Sequence, residues 1–125
     1  MFGHFPFMRY STIAALMLLT SGHFNSAKAE FNIRNVASGL VLDIVGALPN
    51  DFQTVILFRS NGGKNQLFDE AVETDESFSL VAQHTGNTCL DVVGFGTQDG
   101  VSVVQFRCHF GANQRWTAQR MGNGV

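Results

Sequence analysis

The side chains of this chain that could do chemistry come in pairs. Leu42-Asp43 matches Leu90-Asp91, Asp51 matches Asp99, and Phe58-Arg59 matches Phe106-Arg107. Asn65-Gln66-Leu67-Phe68 likewise matches Asn113-Gln114-Arg115-Trp116, and every one of these pairs is displaced by 48 residues. Upstream, Phe31/Phe78 and Gly39/Gly86 are displaced by 47, which puts a one-residue insertion near Asn87. Residues 31–69 and 78–117 are therefore two copies of one unit. A repeat period in this range signals an architecture assembled from like parts.

Several chemistries can be set aside from the residue types alone. The acidic run from Asp69 to Glu76 joins the two copies. Two carboxylates there could serve glycosidic cleavage, but acids on a solvated connecting loop lack the burial that tunes one of them to a general acid, so a connecting loop is expected. His84 and His109 are not spaced as metal ligands, and two cysteines with them make no zinc set. Gly94, Gly96 and Gly100 have the wrong spacing for a dinucleotide fingerprint and no helix follows them. With no nucleophile elbow and no phosphate loop, neither catalytic residues nor cofactors are expected. Cys89 and Cys108 both lie in the second copy, and Val41 and Ser60 stand at the equivalent places in the first. The paired absence predicts a disulfide inside the second copy; two reduced buried thiols are the other reading.

The elements that must position these groups read as short strands. Phe31–Ile33, Val41–Ile44, Val55–Phe58 and Leu67-Phe68 are separated by Gly, Asn, Asp and Pro clusters, and Ser79–Val81, Cys89–Val92, Val101–Phe106 and Trp116-Thr117 repeat the series. That pattern predicts an all-β barrel or sandwich. Residues 1–29 fall outside it. Arg9, the apolar run Ile13–Leu19 and the small-x-small Ala27-Lys28-Ala29 predict a signal peptide cleaved before Glu30, too short to span a membrane. The protein is thus expected to be secreted or periplasmic. Two of its eight basic residues lie in this leader and all ten acids lie beyond it. The domain at 30–125 is therefore acidic, without the basic stripe a nucleic acid would need.

Taken in order, Cys89-Leu90-Asp91-Val92, Gly94, Asp99-Gly100, Phe106-Arg107-Cys108 and Asn113-Gln114-Arg115-Trp116 resemble one repeat of a ricin B-type lectin. The first copy shows the same string in weaker form. The resemblance implies a β-trefoil, in which three repeats of four strands surround a pseudo-threefold axis. It implies that Gln66 and Gln114 are largely structural and that Phe68 and Trp116 are core residues. Two of the three repeats are legible, so the trefoil is expected to be incomplete, with self-association or a partner chain completing it.

The same resemblance implies a sugar site in each repeat. Asp91 and Asp43 would accept hydrogen bonds from sugar hydroxyls, Phe106 and Phe58 would stack on the sugar's C–H face, and Asn113-Gln114 and Asn65-Gln66 would follow them in the site. Val104 and Ile56 stand where the family often has glutamine. His109 matches a place where some family sites use histidine, or is a plain exposed loop residue. The function implied is a secreted lectin that binds galactose-type glycans without catalysis. The alternative is a trefoil scaffold or toxin-subunit-like module that binds protein and no longer binds sugar.

Overall fold

The computed structural model describes residues Glu30–Gln119; residues 1–29, where the signal peptide is expected, and residues 120–125 lie outside the described part. Six strands form one antiparallel sheet: β1 Val41–Ile44, β2 Gln53–Phe58, β3 Phe68–Val72, β4 Phe78–Ala82, β5 Thr88–Val92 and β6 Val103–Arg107. Their order in the sheet is β1-β2-β6-β5-β4-β3. Hairpin β1–β2 belongs to repeat one and hairpin β5–β6 to repeat two, and they meet through Gln53 opposite Gln105 and Thr54 opposite Val104. The all-β expectation holds, and each repeat carries the same hairpin and 3-10 turns, β1–β2 with the turn at Lys64–Gln66 and β5–β6 with the turn at Ala112–Gln114.

Each repeat is closed by a bridge at matching residues. Phe31 pairs with Phe68 and Phe78 pairs with Trp116, with both backbone bonds made in each case. The expected strands at Phe31–Ile33 and Trp116-Thr117 shrink to these single bridges. β6 begins at Val103, not Val101.

A correction falls on the acidic segment. Asp69 to Val72 is not loop but the body of β3, paired residue for residue with β4 from Phe68 opposite Ala82 to Val72 opposite Phe78. Asp69 is buried, and its carboxylate accepts from the Gln83 amide. Five cross-strand positions outweigh the poor strand propensity of Asp and Glu, which depends on context more than on the residue. The turn itself is confined to residues 73–77, where Ser77 Oγ and N–H both bond Asp75.

Ile44, Phe68, Leu80, Ala82 and Leu90 form the core, with Phe31, Ile33, Leu42, Val55, Phe78, Val103 and Trp116 packed around it. Phe68 is wholly buried, as expected, while Trp116 is only partly so and donates its indole N–H to Leu90 O at 3.4 Å. Cys89 and Cys108 are bridged, locking β5 to the segment after β6. After β1 and β5 the chain reverses through Gly46-Ala47 and Gly94-Phe95, all four at positive φ. Glycine adopts that geometry freely, whereas the alanine and phenylalanine carry a strain of about 1 kcal/mol each.

Candidate functional site

The two aspartates are buried, each at the third or fourth residue of its strand, and each is held from the same direction. Short 3-10 turns at Lys64–Gln66 and Ala112–Gln114 bring a glutamine beneath each carboxylate. Gln114 Nε2 donates to Asp91 Oδ2 at 2.8 Å and to Arg107 O at 2.9 Å. Its Oε1 accepts the N–H groups of His109 at 2.8 Å and Phe110 at 3.1 Å. Gln66 repeats this with Asp43 Oδ2 at 2.8 Å, Arg59 O at 2.9 Å and the Asn61 N–H at 2.9 Å. A buried amide with both ends satisfied is a positioning device. Both glutamines are sealed from solvent at 2% exposure or less, so they fix the aspartates and offer nothing to a ligand.

Repeat one and repeat two then part company. Asn65 Nδ2 donates to Asp43 Oδ1 at 3.1 Å and to Ile44 O at 2.9 Å, so both Asp43 oxygens are occupied. Asn113 Nδ2 instead bonds Val92 O at 3.1 Å, and its Oδ1 is buried with no partner among the described residues. Among the described residues no donor hydrogen-bonds Asp91 Oδ1; His109 Nε2 stands 3.6 Å from Oδ2, just beyond hydrogen-bond reach. Asp91 is a fixed carboxylate with one oxygen to spare.

Rings gather around His109, the neighbour of that carboxylate. Phe106 lies 6.1 Å from the His109 ring, and Phe95 lies 6.2 Å from it in a nearly parallel stack. Phe52, from repeat one, meets Phe106 edge-on at 5.1 Å. Phe52 and Phe95 both sit at positive φ with largely exposed rings. Strained exposed aromatics of this kind gather where a ligand is met. His109 is itself tethered, its Nδ1 accepting the Gly111 N–H at 3.0 Å. In repeat one, the ring partner of Phe58 among the described residues is the Arg59 guanidinium, 5.6 Å from its centroid.

The structure thus brings Asp91, Phe106, His109, Asn113 and Gln114 into one place, and Asp43, Phe58, Asn65 and Gln66 into another. Sequence reasoning missed Phe95 and Phe52. The equivalents of these residues are Ala47 and Gly100, so the repeat comparison hid them. It also missed the seam between repeats, where Asp51 accepts from the Arg107 backbone N–H, Nε and Nη2 at 2.8, 3.0 and 2.9 Å.

Residues 29–125 match the family model of the ricin-type β-trefoil lectin domain. No curated protein matches the chain significantly. Among solved structures it is similar to ThreeFoil, a designed 3-fold symmetric protein, at 34% identity and a TM-score of 0.68, over 70% of this chain and 62% of that one. An exo-β-1,3-galactanase from Clostridium thermocellum is similar at 31% identity and a TM-score of 0.67, over 71% of this chain and 19% of the enzyme. A lectin of Polyporus squamosus, solved with the human-type influenza-binding epitope Neu5Ac-Gal-GlcNAc, is similar at 25% identity and a TM-score of 0.60, over 70% and 30%. The chain spans less than two thirds of each of these. With the repeat pattern, the two bridged repeats and a family match across the whole described part, the chain belongs to the ricin-type β-trefoil lectin domain family.

Proposed function

We propose that this domain binds galactose-type sugars through the Asp91 site, without catalysis, and that the Asp43 site is silent or much weaker. The observation that carries the reading is the difference between the two carboxylates. Asp43 has both oxygens bonded by Asn65 and Gln66, whereas Asp91 keeps Oδ1 unbonded among the described residues, on a carboxylate next to His109, whose ring meets Phe106 and Phe95. A carboxylate oxygen with no protein donor is a strong acceptor for a sugar hydroxyl, and a nearby ring takes the apolar face of the same sugar. The galactose unit in the epitope of the fungal lectin and the galactan substrate of the clostridial enzyme support the sugar class. One shallow site gives weak affinity, so useful binding needs several chains on one glycan surface.

Export belongs to the same reading. The leader pattern and the Cys89–Cys108 bridge support it, and among the described residues no helix is long and apolar enough to cross a membrane. N-terminal sequencing of material recovered outside the cell should begin at Glu30; a terminus there that retains the Ile13–Leu19 run would contradict it. The sugar reading is tested by a glycan array probed with the chain starting at Glu30. Terminal galactose or N-acetylgalactosamine glycans should dominate the bound set. A folded chain that retains no glycan would favour the protein-binding alternative, for which the exposed Ile56, Leu57 and Phe58 speak.

A further inference from the structure

Three phenylalanines stand at backbone corners where the other repeat has a small residue. Phe52, Phe95 and Phe110 lie at positive φ, at 66°, 56° and 60°. The 48-residue offset pairs them with Gly100, Ala47 and Gly62, which are also at positive φ, at 82°, 53° and 78°. The fold therefore needs the corner but not the ring. Glycine takes such a corner freely, and phenylalanine is strained there. Nor are the rings drawn into the core: they are 64%, 58% and 44% exposed.

All three belong to the neighbourhood of Asp91. Phe52 meets Phe106 edge-on at 5.1 Å, Phe106 lies 6.1 Å from His109, and Phe95 stacks on His109 at 6.2 Å. Phe110 follows His109 in the chain, and its N–H is held at 3.1 Å by Gln114, the same amide that fixes Asp91. Beside Phe52 the polar groups are engaged with one another: Arg107 takes up both Asp51 oxygens, and the Phe52 N–H donates to Gln105 O at 2.7 Å. Phenylalanine, unlike tyrosine or tryptophan, carries no polar handle. Exposed apolar surface gathered in this way marks a place where a ligand is met.

We propose that Phe52, Phe95 and Phe110 form an apolar rim for the group attached to the sugar, so that the Asp91 site selects galactosides whose aglycone is itself apolar, alkyl or aryl. The inference rests on the sugar reading of Asp91 and adds the class of galactoside to it. Asp91 Oδ1 accepts from the sugar hydroxyls and Phe106 takes the sugar's apolar face. Phe52, in edge contact with Phe106, continues that apolar surface one ring further, toward whatever is linked to the galactose. A second sugar there would set hydroxyls against phenyl rings that offer them no partner. An alkyl chain or aryl ring would instead remove its own apolar area, and that of the rim, from water.

Calorimetric titration of the folded chain with methyl, hexyl and phenyl galactosides, each as both anomers, and with lactose tests this. The hexyl or the phenyl galactoside should bind about tenfold tighter than the methyl one, the effect of burying about two methylene groups. A larger gain for hexyl assigns the rim to lipid-like aglycones, and a larger gain for phenyl assigns it to aryl ones. Phe52→Gly, Phe95→Ala and Phe110→Gly combined give each corner the residue that the other repeat holds there. That protein should still unfold cooperatively, and its preference for hexyl or phenyl over methyl galactoside should be gone. A parent without the preference, a preference that survives the three substitutions, or the same gain shown by lactose would overturn the inference. In each of those cases binding of methyl galactoside leaves the sugar reading standing, whereas a folded parent that binds none of these sugars would overturn both.

Discussion

Gln114→Glu changes one atom of the most deeply buried polar group in the site, and the structure sets what should follow. Oε1 keeps its bonds to the His109 and Phe110 N–H groups, since a carboxylate accepts as well as an amide. The other end inverts: Nε2 donates to Asp91 Oδ2 at 2.8 Å and Arg107 O at 2.9 Å, and an oxygen there faces two acceptors. With charge centres about 4 Å apart at an effective dielectric of about 20, two ionised carboxylates repel by about 4 kcal/mol. A proton shared between them removes that repulsion but restores only one of the two donated bonds, leaving a loss of about 1 kcal/mol. The new carboxyl should therefore hold its proton in the folded state well above the ordinary value of about 4.3. Its protonated form stabilises fully below that value, and the stability is lost as pH rises through the higher folded value. Urea unfolding followed by the fluorescence of the single tryptophan, Trp116, gives the measurement. Relative to the parent, the variant should lose about 1 kcal/mol at pH 4 and about 4 kcal/mol at pH 7.5, a large share of a stability of order 5–15 kcal/mol. Gln66→Glu should behave alike. An equal loss at both pH values, or a loss under about 1 kcal/mol at pH 7.5, would refute the buried-hub account.

Three further outcomes follow. Replacing both Cys89 and Cys108 by alanine opens a loop with a sequence separation of 19 and should cost about 3 kcal/mol of unfolding free energy, while thiol titration of the unfolded, unreduced parent should find no free thiol. Asp51→Ala and Arg107→Ala should couple by about 1 kcal/mol in a double-mutant cycle, a modest value because the Arg107 side chain is 76% exposed, and the coupling should shrink in molar salt. The Asp75 carboxyl is held below 3.8, first by the Ser77 hydroxyl and backbone N–H and then by Arg115; its contribution is present above that value and lost as pH falls through the lower folded one, so an NMR titration should show Ser77→Ala moving it back toward 3.8.

Much of the fold was legible because repetition doubles every signal. Leu-Asp, the aromatic before arginine and Asn-Gln-x-aromatic each recur at one offset, which fixed the units, the hairpins and the place of the aspartates. Asp69–Val72 was misread because its residues have the composition of a solvated turn; what makes it a strand is the β4 ladder opposite, a tertiary fact. The resemblance implied a structural role for Gln66 and Gln114, but the particular bonds they make to Asp43, Asp91 and the backbone depend on which way a short turn points them. The unequal sites lie in what the repeats do not share: repeat two carries His109 where repeat one has Asn61, and Phe95 where repeat one has Ala47. The Asp51–Arg107 seam was hidden for a related reason. Both members recur within each repeat, and nothing local says that the bond runs between repeats.

The central claim is that one open carboxylate, Asp91, carries the binding while Asp43 is self-satisfied. Heteronuclear NMR titration of the 15N-labelled chain with galactose, repeated on Asp91→Asn and Asp43→Asn, addresses it directly. The parent should show one saturable set of shifts centred on Asp91, His109 and Asn113, lost in Asp91→Asn and retained at unchanged affinity in Asp43→Asn. Shifts that centre on Asp43 and Asn65, or that survive Asp91→Asn in a folded protein, would contradict the account.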